Sequence, residues 1–457
     1  MELKQLESIC GAKGVVSDAE GLKAFAVDGI TPQIVAQPET LKQAAAVIKL
    51  AGETKTPLAI LGGGSLAGLG GRIKAAGVVL STRRLDKIID MDTENLTVTA
   101  QAGVRIGDLQ DLLGGLENRC FFPIDSSLKN TADYMCSSRE YKGAYVPLDP
   151  PQAQRATMGG IVASGVTGPM RLRHGLPRDL VLGVRFVSAQ GELIGMGGKV
   201  VKNVSGYDVS KLMVGSLGSL GLIGEMTVRL LPLPEVSGAV VMGFKDLASA
   251  TAMAAEVVDG KLLPTALEVV NAKAMQMALK DAPAGSWFVA AGQAGFSEDV
   301  AREKTDLAAL AARHGGQVAD MDADAAKAFW AALADRPLMD CALRLKASYP
   351  IGGAGAFLAA AAGLGDGAAV SVSAGLGAGL VHLLPAAAAE LAKAAAGLRA
   401  KAVELGGALV VQAGAPELKD AVGAWGPARP DWGLMMHLKR QLDPDLLLNR
   451  GRFLGGL

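Results

Sequence analysis

Four glycine-containing motifs between Ala156 and Pro232 decide the fold of this chain. They read ATMGGIVASG (156–165), RHGLPRD (173–179), KNVSGYD (202–208) and GSLGSLGLI (215–223). Glycine is needed where the backbone takes a positive φ or approaches a ligand closely, and the short apolar runs that separate the glycines, such as the one after ATMGG, are typical of buried strands. A glycine-rich backbone with a few polar side chains predicts a site for a large, phosphate-bearing cofactor, although a ligand-free core of loops and strands has the same pattern.

Length and composition limit the classes of protein to consider. The chain has 457 residues, of which half are hydrophobic, and its formal net charge is zero. We expect two or three domains, and we expect no nucleic-acid partner because there is no basic excess to neutralise phosphates. The sequence has no CxxC motif, so we expect free thiols in a reducing cytoplasm and neither an iron–sulfur cluster nor structural zinc in this chain. The four cysteines are Cys10, Cys120, Cys136 and Cys341.

One uncharged segment is long enough to cross a membrane. Residues 367–389 contain no Asp, Glu, Lys or Arg. They are built mainly from Ala, Gly and Ser, include His382 and Pro385, and alternate like a strand at Val370–Ser373. We therefore predict a strand, a turn, a second strand and the start of a helix, and no transmembrane segment. Met1–Leu6 lacks the apolar core of a secretory signal.

A second glycine cluster, GGGS at 62–65, follows the apolar run Leu58–Leu61. It is not a Walker A loop, because no Gly-Lys-Ser/Thr follows. A Rossmann fingerprint is a rival, since Asp86 lies at a suitable distance for a ribose contact. The further glycines up to Gly77 disfavour a crossover helix. We prefer a turn whose backbone N–H groups surround a pyrophosphate without a following helix.

The remaining patterns predict ordinary elements. The first 26 residues have a helical pattern, and helices are expected at 39–50, 105–113, 297–312 and 385–404. Strands are expected at 33–38, 58–61, 78–81, 96–100, 287–291, 341–346 and 370–373.

Taken in order, these motifs resemble a known family. The GGGS loop, Pro147-x-Asp149, ATMGG, Arg173-His174-Gly175 and GSLG together resemble the FAD-binding fold of the vanillyl-alcohol oxidase / p-cresol methylhydroxylase (PCMH) superfamily. The resemblance covers about residues 35–234 and returns at 438–453. It implies an α+β fold with a two-subdomain PCMH-type FAD-binding domain at 1–234, an α+β cap domain at 235–410, and a C-terminal segment at 411–457 that completes the FAD domain.

Within the superfamily, the chain resembles the glycolate oxidase and D-lactate dehydrogenase branch. The segment KVVKNVSGYD (199–208) is most similar to the E-type flavin subunit of bacterial glycolate oxidase. Between Phe122 and Pro147 the chain departs from the family, and residues 126–145 look like an insertion. This insertion is either a lid or partner-docking loop, or a surface loop with no such role.

The resemblance implies residues that bind FAD. Backbone N–H groups of Gly62, Gly63, Gly64, Ser65, Thr157, Gly159 and Gly160 would bind the pyrophosphate; Ala163, Ser164 and Gly168 would pass close to the isoalloxazine; Gly221 and Ile223 would meet the adenine end. Lys202 is either a stabiliser of the negative charge on reduced flavin or an exposed lysine at a strand end. The other expected contacts are Pro147, Asp149, Ala156, His174, Gly175, Tyr207 and Asn449. The FAD would be non-covalent, because no attachment His or Cys lies in or beside 62–70.

The cap departs from the active dehydrogenases of this branch. These enzymes carry Gly-His-x-Gly-Asp-Gly-Asn-Leu-His and a later Glu-His-Gly, which hold a divalent metal. Here the matching stretch, 375–382, reads GLGAGLVH; Leu376 replaces the first His, only His382 remains, and no Glu-His-Gly follows. We therefore predict no metal site. The catalytic candidates are His382 as base and Arg344 or Lys346 as the carboxylate anchor, although a solvated strand face would also place these two cations together.

Two functions follow from the resemblance. The first is an FAD-binding subunit of a D-2-hydroxyacid (glycolate or D-lactate) dehydrogenase or oxidase complex, which passes electrons to a partner and works beside a second flavin subunit and an iron–sulfur subunit. The alternative is a self-sufficient FAD-dependent dehydrogenase. A structural subunit without FAD is disfavoured, since without the cofactor nothing would require the glycines. We expect a cytoplasmic protein, held at the inner face of the membrane, if at all, through its partners.

Overall fold

The computed structural model describes residues 1–115, 119–120, 141–199 and 208–457, without the side chains of residues 119–120, 141–142 and 336–339. Lys202, Tyr207 and most of the proposed insertion at 126–145 therefore lie outside the described residues.

Short helices and strands alternate in the N-terminal region. Its helices are α1 Leu3–Cys10, α2 Ala19–Lys23, α3 Leu41–Glu53, α4 Ile106–Gly114, α5 Met158–Ser164, α6 Arg171–His174, α7 Pro177–Leu180 and α8 Ser210–Met213. Its strands are β1 Val15–Val16, β2 Ile34–Ala36, β3 Leu58–Leu61, β4 Val78–Ser81, β5 Ile88–Asp92, β6 Thr97–Gln101, β7 Arg119–Cys120, β8 Tyr141–Lys142, β9 Ala144–Tyr145, β10 Val181–Val187, β11 Leu193–Gly197, β12 Leu222–Arg229 and β13 Leu231–Pro232.

These strands form two main sheets. The first has the order β1-β2-β4-β3, with β2, β4 and β3 parallel. The second has the order β11-β10-β12-β6-β5 and is antiparallel. Helix α3 packs against the first sheet in a core that also includes Val187 and Leu222 of the second sheet, and α4 and α5 pack against the second sheet. The GGGS loop follows β3, and the ATMGG motif leads into α5.

One large sheet forms the C-terminal region. Its strands are β14 Val236–Phe244, β15 Ala266–Asn271, β16 Trp287–Gly295, β17 Gln317–Met321, β18 Leu343–Ser348, β19 Ala368–Ser373, β20 Ala378–Leu383 and β21 Ala408–Gly414. The helices are α9 Leu247–Asp259, α10 Ala272–Ala278, α11 Ser297–Arg313, α12 Ala323–Asp340, α13 Ala354–Ala362, α14 Ala388–Glu404, α15 Pro416–Val422 and α16 Trp432–Leu442.

This sheet is antiparallel and separates two environments. Its order is β17-β14-β16-β15-β19-β20-β18-β21. One face packs against α9, α11, α13 and α14 in the largest apolar core. On the other face, α10 and α12 cover one half, and the N-terminal region approaches the rest. Strand β21 ends at Gly414, so the expected boundary between the cap and the C-terminal segment, at residue 410, falls inside this strand.

After α16 the chain returns to the N-terminal region. The backbone N–H of Leu58 donates to the carbonyl of Leu447 at 2.8 Å, and that of Asn449 donates to the carbonyl of Leu58 at 2.9 Å. Lys439 is fully buried; its ammonium pairs with Asp443 at 2.5 Å and donates to the carbonyl of Ser219 at 2.7 Å. The C-terminal segment, which the closing motif predicts to return to the N-terminal region, therefore forms hydrogen bonds with the edge strand β3.

Most predicted elements occur close to their expected positions, but β1 interrupts the helical pattern expected for the first 26 residues, and one strand assignment is wrong. The uncharged segment at 367–389 forms β19, β20 and the start of α14, and no helix in the described part of the chain is long and apolar enough to cross a membrane. The apolar run after ATMGG, however, forms helix α5 rather than a strand. Thr157 caps this helix by accepting from the N–H of Gly160 at 3.4 Å, and Gly165 ends it with φ = 64°. A capping threonine and a left-handed glycine outweigh the strand preference of Ile161 and Val162.

Candidate functional site

The first cavity lies where the GGGS loop meets the ATMGG motif. It leaves about 970 Å³ of space, part of which is open to solvent. Backbone and small side chains from 59–67, 156–166 and 217–223 form its walls, and Asn449 and Arg452 close it from the C-terminal segment. No helix follows the loop, because residues 62–77 are turns and irregular backbone. The Rossmann alternative is therefore wrong; a turn without a following helix is present, and its role around a pyrophosphate stays a prediction.

The GGGS loop is held by contacts from the chain itself. A Cβ on Gly63 would overlap the carbonyl of Arg155, and a Cβ on Gly62 would overlap the hydroxyl of Thr157. Arg83 donates from Nε to the carbonyl of Gly62 at 3.2 Å while its guanidinium stacks 4.4 Å from the ring centre of Phe25. The argument that nothing but FAD would require these glycines is therefore wrong, since backbone packing alone requires two of them.

Some backbone N–H groups around the loop donate hydrogen bonds within the protein, and others have no acceptor among the described residues. The N–H groups of Met158 and Gly159 donate to the carbonyls of Val104 and Ala102 at 2.8 and 2.9 Å. Those of Gly63 and Gly160 share the hydroxyl of Thr157, both at 3.4 Å. Within the described residues, the N–H groups of Gly64 and Ser65 have no acceptor. These two donors, with Gly64 at φ = 79°, suit a pyrophosphate better than the expected donor Gly159 does.

Twelve of the predicted cofactor residues line this cavity. They are Gly62, Gly63, Gly64, Ser65, Ala156, Thr157, Gly159, Gly160, Ala163, Ser164, Ile223 and Asn449. Asn449 sits at φ = 46°, accepts from the N–H of Ile60 at 2.7 Å and donates to the carbonyl of Leu217 at 2.5 Å. It therefore joins three parts of the wall.

The other described cofactor candidates lie outside this lining. Asp149 accepts from Thr167 Oγ1, from the N–H of Gly168 and from the N–H of Met170 at 2.8–3.0 Å, and burial raises its pKa to about 6. It therefore fixes the turn that separates the first cavity from its neighbour, and Gly168 lines that neighbour. Pro147 is buried two residues earlier.

Two further candidates serve the packing around α6. His174 receives a contact from the Tyr145 hydroxyl at 3.3 Å, and burial, with a smaller effect of the Arg173 charge, lowers its pKa to about 4. Gly175 ends α6 at φ = 81°. At Gly221 a Cβ would crowd the carbonyl of Val187 at 2.8 Å. These positions shape the fold around the cavity rather than its surface.

Sequence reasoning missed Arg452, which is 4% exposed and lines the first cavity. Its guanidinium pairs with Asp28 at 2.8 Å and donates to the carbonyls of Gly71 and Ala67. The signal was present, because Arg452 stands inside the closing motif. Asp28 also pairs with the buried Lys419 at 3.3 Å, so this ion cluster ties the loop after GGGS to both ends of the described chain.

A second cavity adjoins the first, since Pro151 and Val166 line both. It lies on the face of the large sheet opposite the main apolar core. All three predicted catalytic residues line it: Arg344, Lys346 and His382. Arg344 and Lys346 are two apart on β18 and so share a face, and the β18–β20 register sets Arg344 directly opposite His382. The alternative of a solvated strand face is wrong for Arg344, which is 2% exposed.

Arg344 and His382 are buried, and some of their polar atoms have no partner. Within the described residues, nothing accepts from Nε or Nη1 of Arg344, and nothing bonds to Nε2 of His382. Burial lowers the pKa of Arg344 to about 10, and burial together with the Arg344 charge lowers that of His382 to about 3. Burial, then the charges of Arg171 and Arg344, lowers the pKa of Lys346 to about 8. Buried polar groups left unpaired are costly, so they mark a place for a ligand.

The second cavity also contains Glu268 and Arg171, which sequence reasoning missed. Glu268 accepts from the hydroxyls of Ser371 and Ser373 on β19, and burial raises its pKa. Arg171 reaches the same cavity from α6 of the N-terminal region. Glu268 gave a weak signal as a carboxylate within the apolar strand ALEVVN. Within the described part of the chain, no three His, Cys, Asp or Glu side chains are grouped to hold a metal ion.

A cavity walled by glycine backbone, beside a cation-lined cavity on an antiparallel sheet, is the arrangement of an FAD-linked oxidoreductase. The chain belongs to this family. Residues 32–124 and 139–197 match the FAD binding domain, and residues 233–453 match the C-terminal domain of FAD linked oxidases. FAD is therefore the cofactor, and the free donors of Gly64 and Ser65 fit its pyrophosphate.

Curated relatives place the chain in the expected branch. It is 36% identical over 184 residues to glycolate oxidase subunit GlcE of Escherichia coli (40% of this chain, 45% of the relative). It is 27% identical over 274 residues to subunit GlcD of Bacillus subtilis (59% and 53%). It is 30% identical over 242 residues to D-lactate dehydrogenase of Anaerostipes hadrus (52% and 45%). The chain thus spans about half the length of the curated relatives that it matches.

Solved structures share the fold. A substrate-bound p-cresol methylhydroxylase superposes with a TM-score of 0.66 at 15% identity, covering 98% of this chain and 95% of that one. The 4-ethylphenol oxidase of Gulosibacter chungangensis gives 0.69 at 15% identity with the same coverage. The predicted α+β fold of the PCMH type is therefore confirmed.

Proposed function

We propose that this chain is the FAD-binding subunit of a D-2-hydroxyacid dehydrogenase or oxidase complex, acting on a small acid such as glycolate or D-lactate. The observation that carries the proposal is Arg344. It is buried, lacks partners at two guanidinium nitrogens, and lines a cavity that shares a wall with the FAD cavity. A guanidinium binds a carboxylate through two parallel hydrogen bonds, so Arg344 would hold the acid next to the cofactor.

The chain's own residues would bind, orient and shield the acid. Bound FAD supplies the acceptor for the hydrogen and electron pair that leave the carbon bearing the hydroxyl. His382, opposite Arg344, is neutral at physiological pH and is a weak base while the arginine charge stands unpaired. A bound carboxylate offsets that charge, which is the smaller cause after burial, and so raises the pKa of His382 by part of the amount by which it is lowered. Substrate binding would thereby prepare His382 to take the hydroxyl proton.

The subunit role rests on the missing metal ligands. Leu376 stands where active relatives have a histidine, and only His382 of that motif remains. A hydroxyl proton is harder to remove without a metal, so we propose that turnover needs a second flavin subunit and an iron–sulfur subunit, in the cytoplasm or at the inner face of the membrane. The second candidate is a self-sufficient dehydrogenase, and the intact cavity around His382 favours it.

Anaerobic stopped-flow absorbance separates the two candidates. The FAD-loaded chain is mixed with D-lactate and then with glycolate, with and without added zinc or manganese, and the flavin band is followed. A band that bleaches only when the partner flavin subunit is present supports the subunit role. Bleaching in the isolated chain, absent in His382→Gln, would establish the self-sufficient enzyme instead. A chain that takes up no FAD would contradict both.

A further inference from the structure

Gln412 is a buried polar residue of the second cavity that the proposed function does not use. It is 2% exposed, and its side-chain oxygen Oε1 has no hydrogen-bond partner within the described residues. On β18, Arg344 pairs with Ala413 of β21 and the next residue pairs with Val411, so Gln412 is the extra residue of a β-bulge beside Arg344. Because β18 lies between β20 and β21, Gln412 and His382 flank Arg344 from opposite sides. We call these three side chains the polar row.

The polar row presents a definite order of donors and acceptors. The free Nε and Nη1 of Arg344 are donors, and the free Oε1 of Gln412 is an acceptor. Burial and the Arg344 charge lower the pKa of His382, whereas the backbone of Ala369, opposite on β19, acts to raise it, as a carbonyl that accepts from a ring N–H does. Since Nε2 of His382 has no partner, that N–H belongs to Nδ1, and Nε2 of the neutral ring is an acceptor. Two acceptors therefore stand on either side of the donors of Arg344.

An acid with a single hydroxyl group leaves the polar row incomplete. Its carboxylate accepts from Arg344 and its 2-hydroxyl group donates to Nε2 of His382, as in the proposed function. Nothing in such an acid then donates to Oε1 of Gln412. A buried acceptor left without a donor costs about 1–3 kcal/mol, so the row indicates a ligand with a second donor on the far side of its carboxylate.

The charges around the row decide the kind of donor. Within the described residues, the charged lining of the cavity consists of three cations, Arg171, Arg344 and Lys346, and one carboxylate, Glu268. An ammonium group on the ligand would add a further positive charge to this cluster and be repelled. A hydroxyl group donates equally well and is neutral. The second donor is therefore a hydroxyl group rather than an amine.

We propose that the second cavity selects a 2,3-dihydroxy acid, a short sugar acid such as D-glycerate, and that Gln412 is the residue that selects it. Arg344 binds the carboxylate, His382 accepts from the 2-hydroxyl group, and Gln412 accepts from the 3-hydroxyl group. The ligand stays a small monocarboxylic acid, with the carbon skeleton of D-lactate and one more oxygen. The inference rests on the proposed function for the 2-hydroxyl group, but not for the 3-hydroxyl group.

The test is calorimetric titration of the FAD-loaded chain with 3-hydroxypropionate and with propionate. Neither acid has a 2-hydroxyl group to oxidise, and the two differ only in the group assigned to Gln412. We expect 3-hydroxypropionate to bind about tenfold more tightly, as is typical of one hydrogen bond to a buried acceptor that otherwise stays unpaired. Gln412→Met keeps a side chain of similar length without the amide oxygen, and it should bring the ratio of affinities to about one.

Gln293→Met is the matched control. Gln293 is 1% exposed on β16 of the same sheet, and its Oε1 also lacks a partner within the described residues, but it does not line the second cavity. This variant should keep the tenfold ratio. Neither glutamine lines the first cavity, so FAD content after dialysis shows whether both variants are folded.

Equal affinities for the two acids would overturn the proposal, because Gln412 would then need no more than a water molecule. A ratio that survives in Gln412→Met would assign the second hydroxyl group to another residue and overturn it as well. The titration needs no electron transfer, so it separates the two proposals. A chain that prefers 3-hydroxypropionate but reduces no flavin with D-glycerate or D-lactate, even beside its partner subunit, contradicts the proposed function alone. A chain that oxidises D-lactate and binds the two test acids equally contradicts this inference alone.

Discussion

The two cavities share a wall and are built in opposite ways. The first is formed mainly by the backbone and uncharged side chains of short motifs. Whether a cofactor fits there depends on the shape of the space that these motifs leave. The second contains charged side chains from β15, β18 and α6 beside polar and apolar side chains from β19 and β20, and the ligand that it accepts depends on which charges remain unpaired. The comparison teaches that the cofactor site is fixed by shape and the substrate site by electrostatics. Substitutions should therefore have different signatures in each.

The largest effect is expected from Gly63→Ala. Its Cβ would overlap the carbonyl of Arg155, so the GGGS loop must move away from ATMGG. Overpacking of this kind costs about 1–3 kcal/mol, and we expect at least a tenfold loss of FAD affinity, measured by flavin absorbance per chain after dialysis. Gly77→Ala is the matched control, because a Cβ there meets nothing within 4 Å. Full FAD retention in Gly63→Ala would show that shape does not fix the first cavity.

Arg344→Met should give effects of opposite sign on ligand binding and stability. Losing a charge-assisted contact of about 1.5–3 kcal/mol lowers affinity for a carboxylate by about ten- to a hundredfold. Removing a buried, unpaired charge should raise the melting temperature of the unliganded chain. Titration and thermal unfolding, with Arg178→Met as the exposed control, measure both. A variant that is less stable without ligand would mean that Arg344 is a structural residue.

The pH dependence of anion binding should reveal Lys346. Its pKa is lowered to about 8, so the ammonium is present below pH 8 and lost above it. Affinity for a carboxylate should therefore fall as the pH rises through about 8, and Lys346→Met should remove that step. The pKa of Arg344 is lowered only to about 10 and that of His382 is lowered to about 3, so neither changes its charge near pH 8. Titration at several pH values checks the step, and an unchanged step in the variant would assign it to another group.

The smallest effect is expected from Asn449→Ala. The substitution removes the bonds to Ile60 and Leu217 and places a Cβ-bearing residue without a local bond at φ = 46°. We expect a loss of about 1–2 kcal/mol of unfolding free energy, with FAD affinity changed only a few-fold, from denaturant unfolding and flavin titration. Asn449→Gly, which relieves the backbone strain but not the lost bonds, should recover part of the loss. A large loss of FAD in Asn449→Ala would make this side chain a direct cofactor contact.

The contrast between the two cavities also explains how much of the fold and of the site could be predicted from the sequence. Gly62–Ser65 and Ala156–Ser164 are contiguous, so their motifs predicted the first cavity and the fold with it. Arg344, Lys346 and His382 were predicted because a known motif surrounds them or their spacing gives one strand face. Arg171 and Glu268 are 97 residues apart in number and meet only through the tertiary fold. Their role depends on unpaired charge, which a sequence does not display.

The helix at Met158–Ser164 was missed for a local reason. Ile161 and Val162 favour strands, but one hydroxyl at Thr157 and one left-handed glycine at Gly165 set the backbone. Likewise, Gly62 and Gly63 were interpreted as cofactor contacts, but a Cβ at these positions would overlap Thr157 and Arg155 even without a cofactor. Lys202, Tyr207 and the proposed insertion stay predictions.

The bond between Leu58 and Leu447 has a consequence for biosynthesis. Strand β3, which leads into the cofactor loop, gains its outer neighbour only after nearly four hundred further residues have emerged from the ribosome. Contacts at such sequence separation close late and slowly. The nascent N-terminal region would therefore wait, with one strand edge open, and flavin uptake would follow the completion of synthesis rather than accompany it.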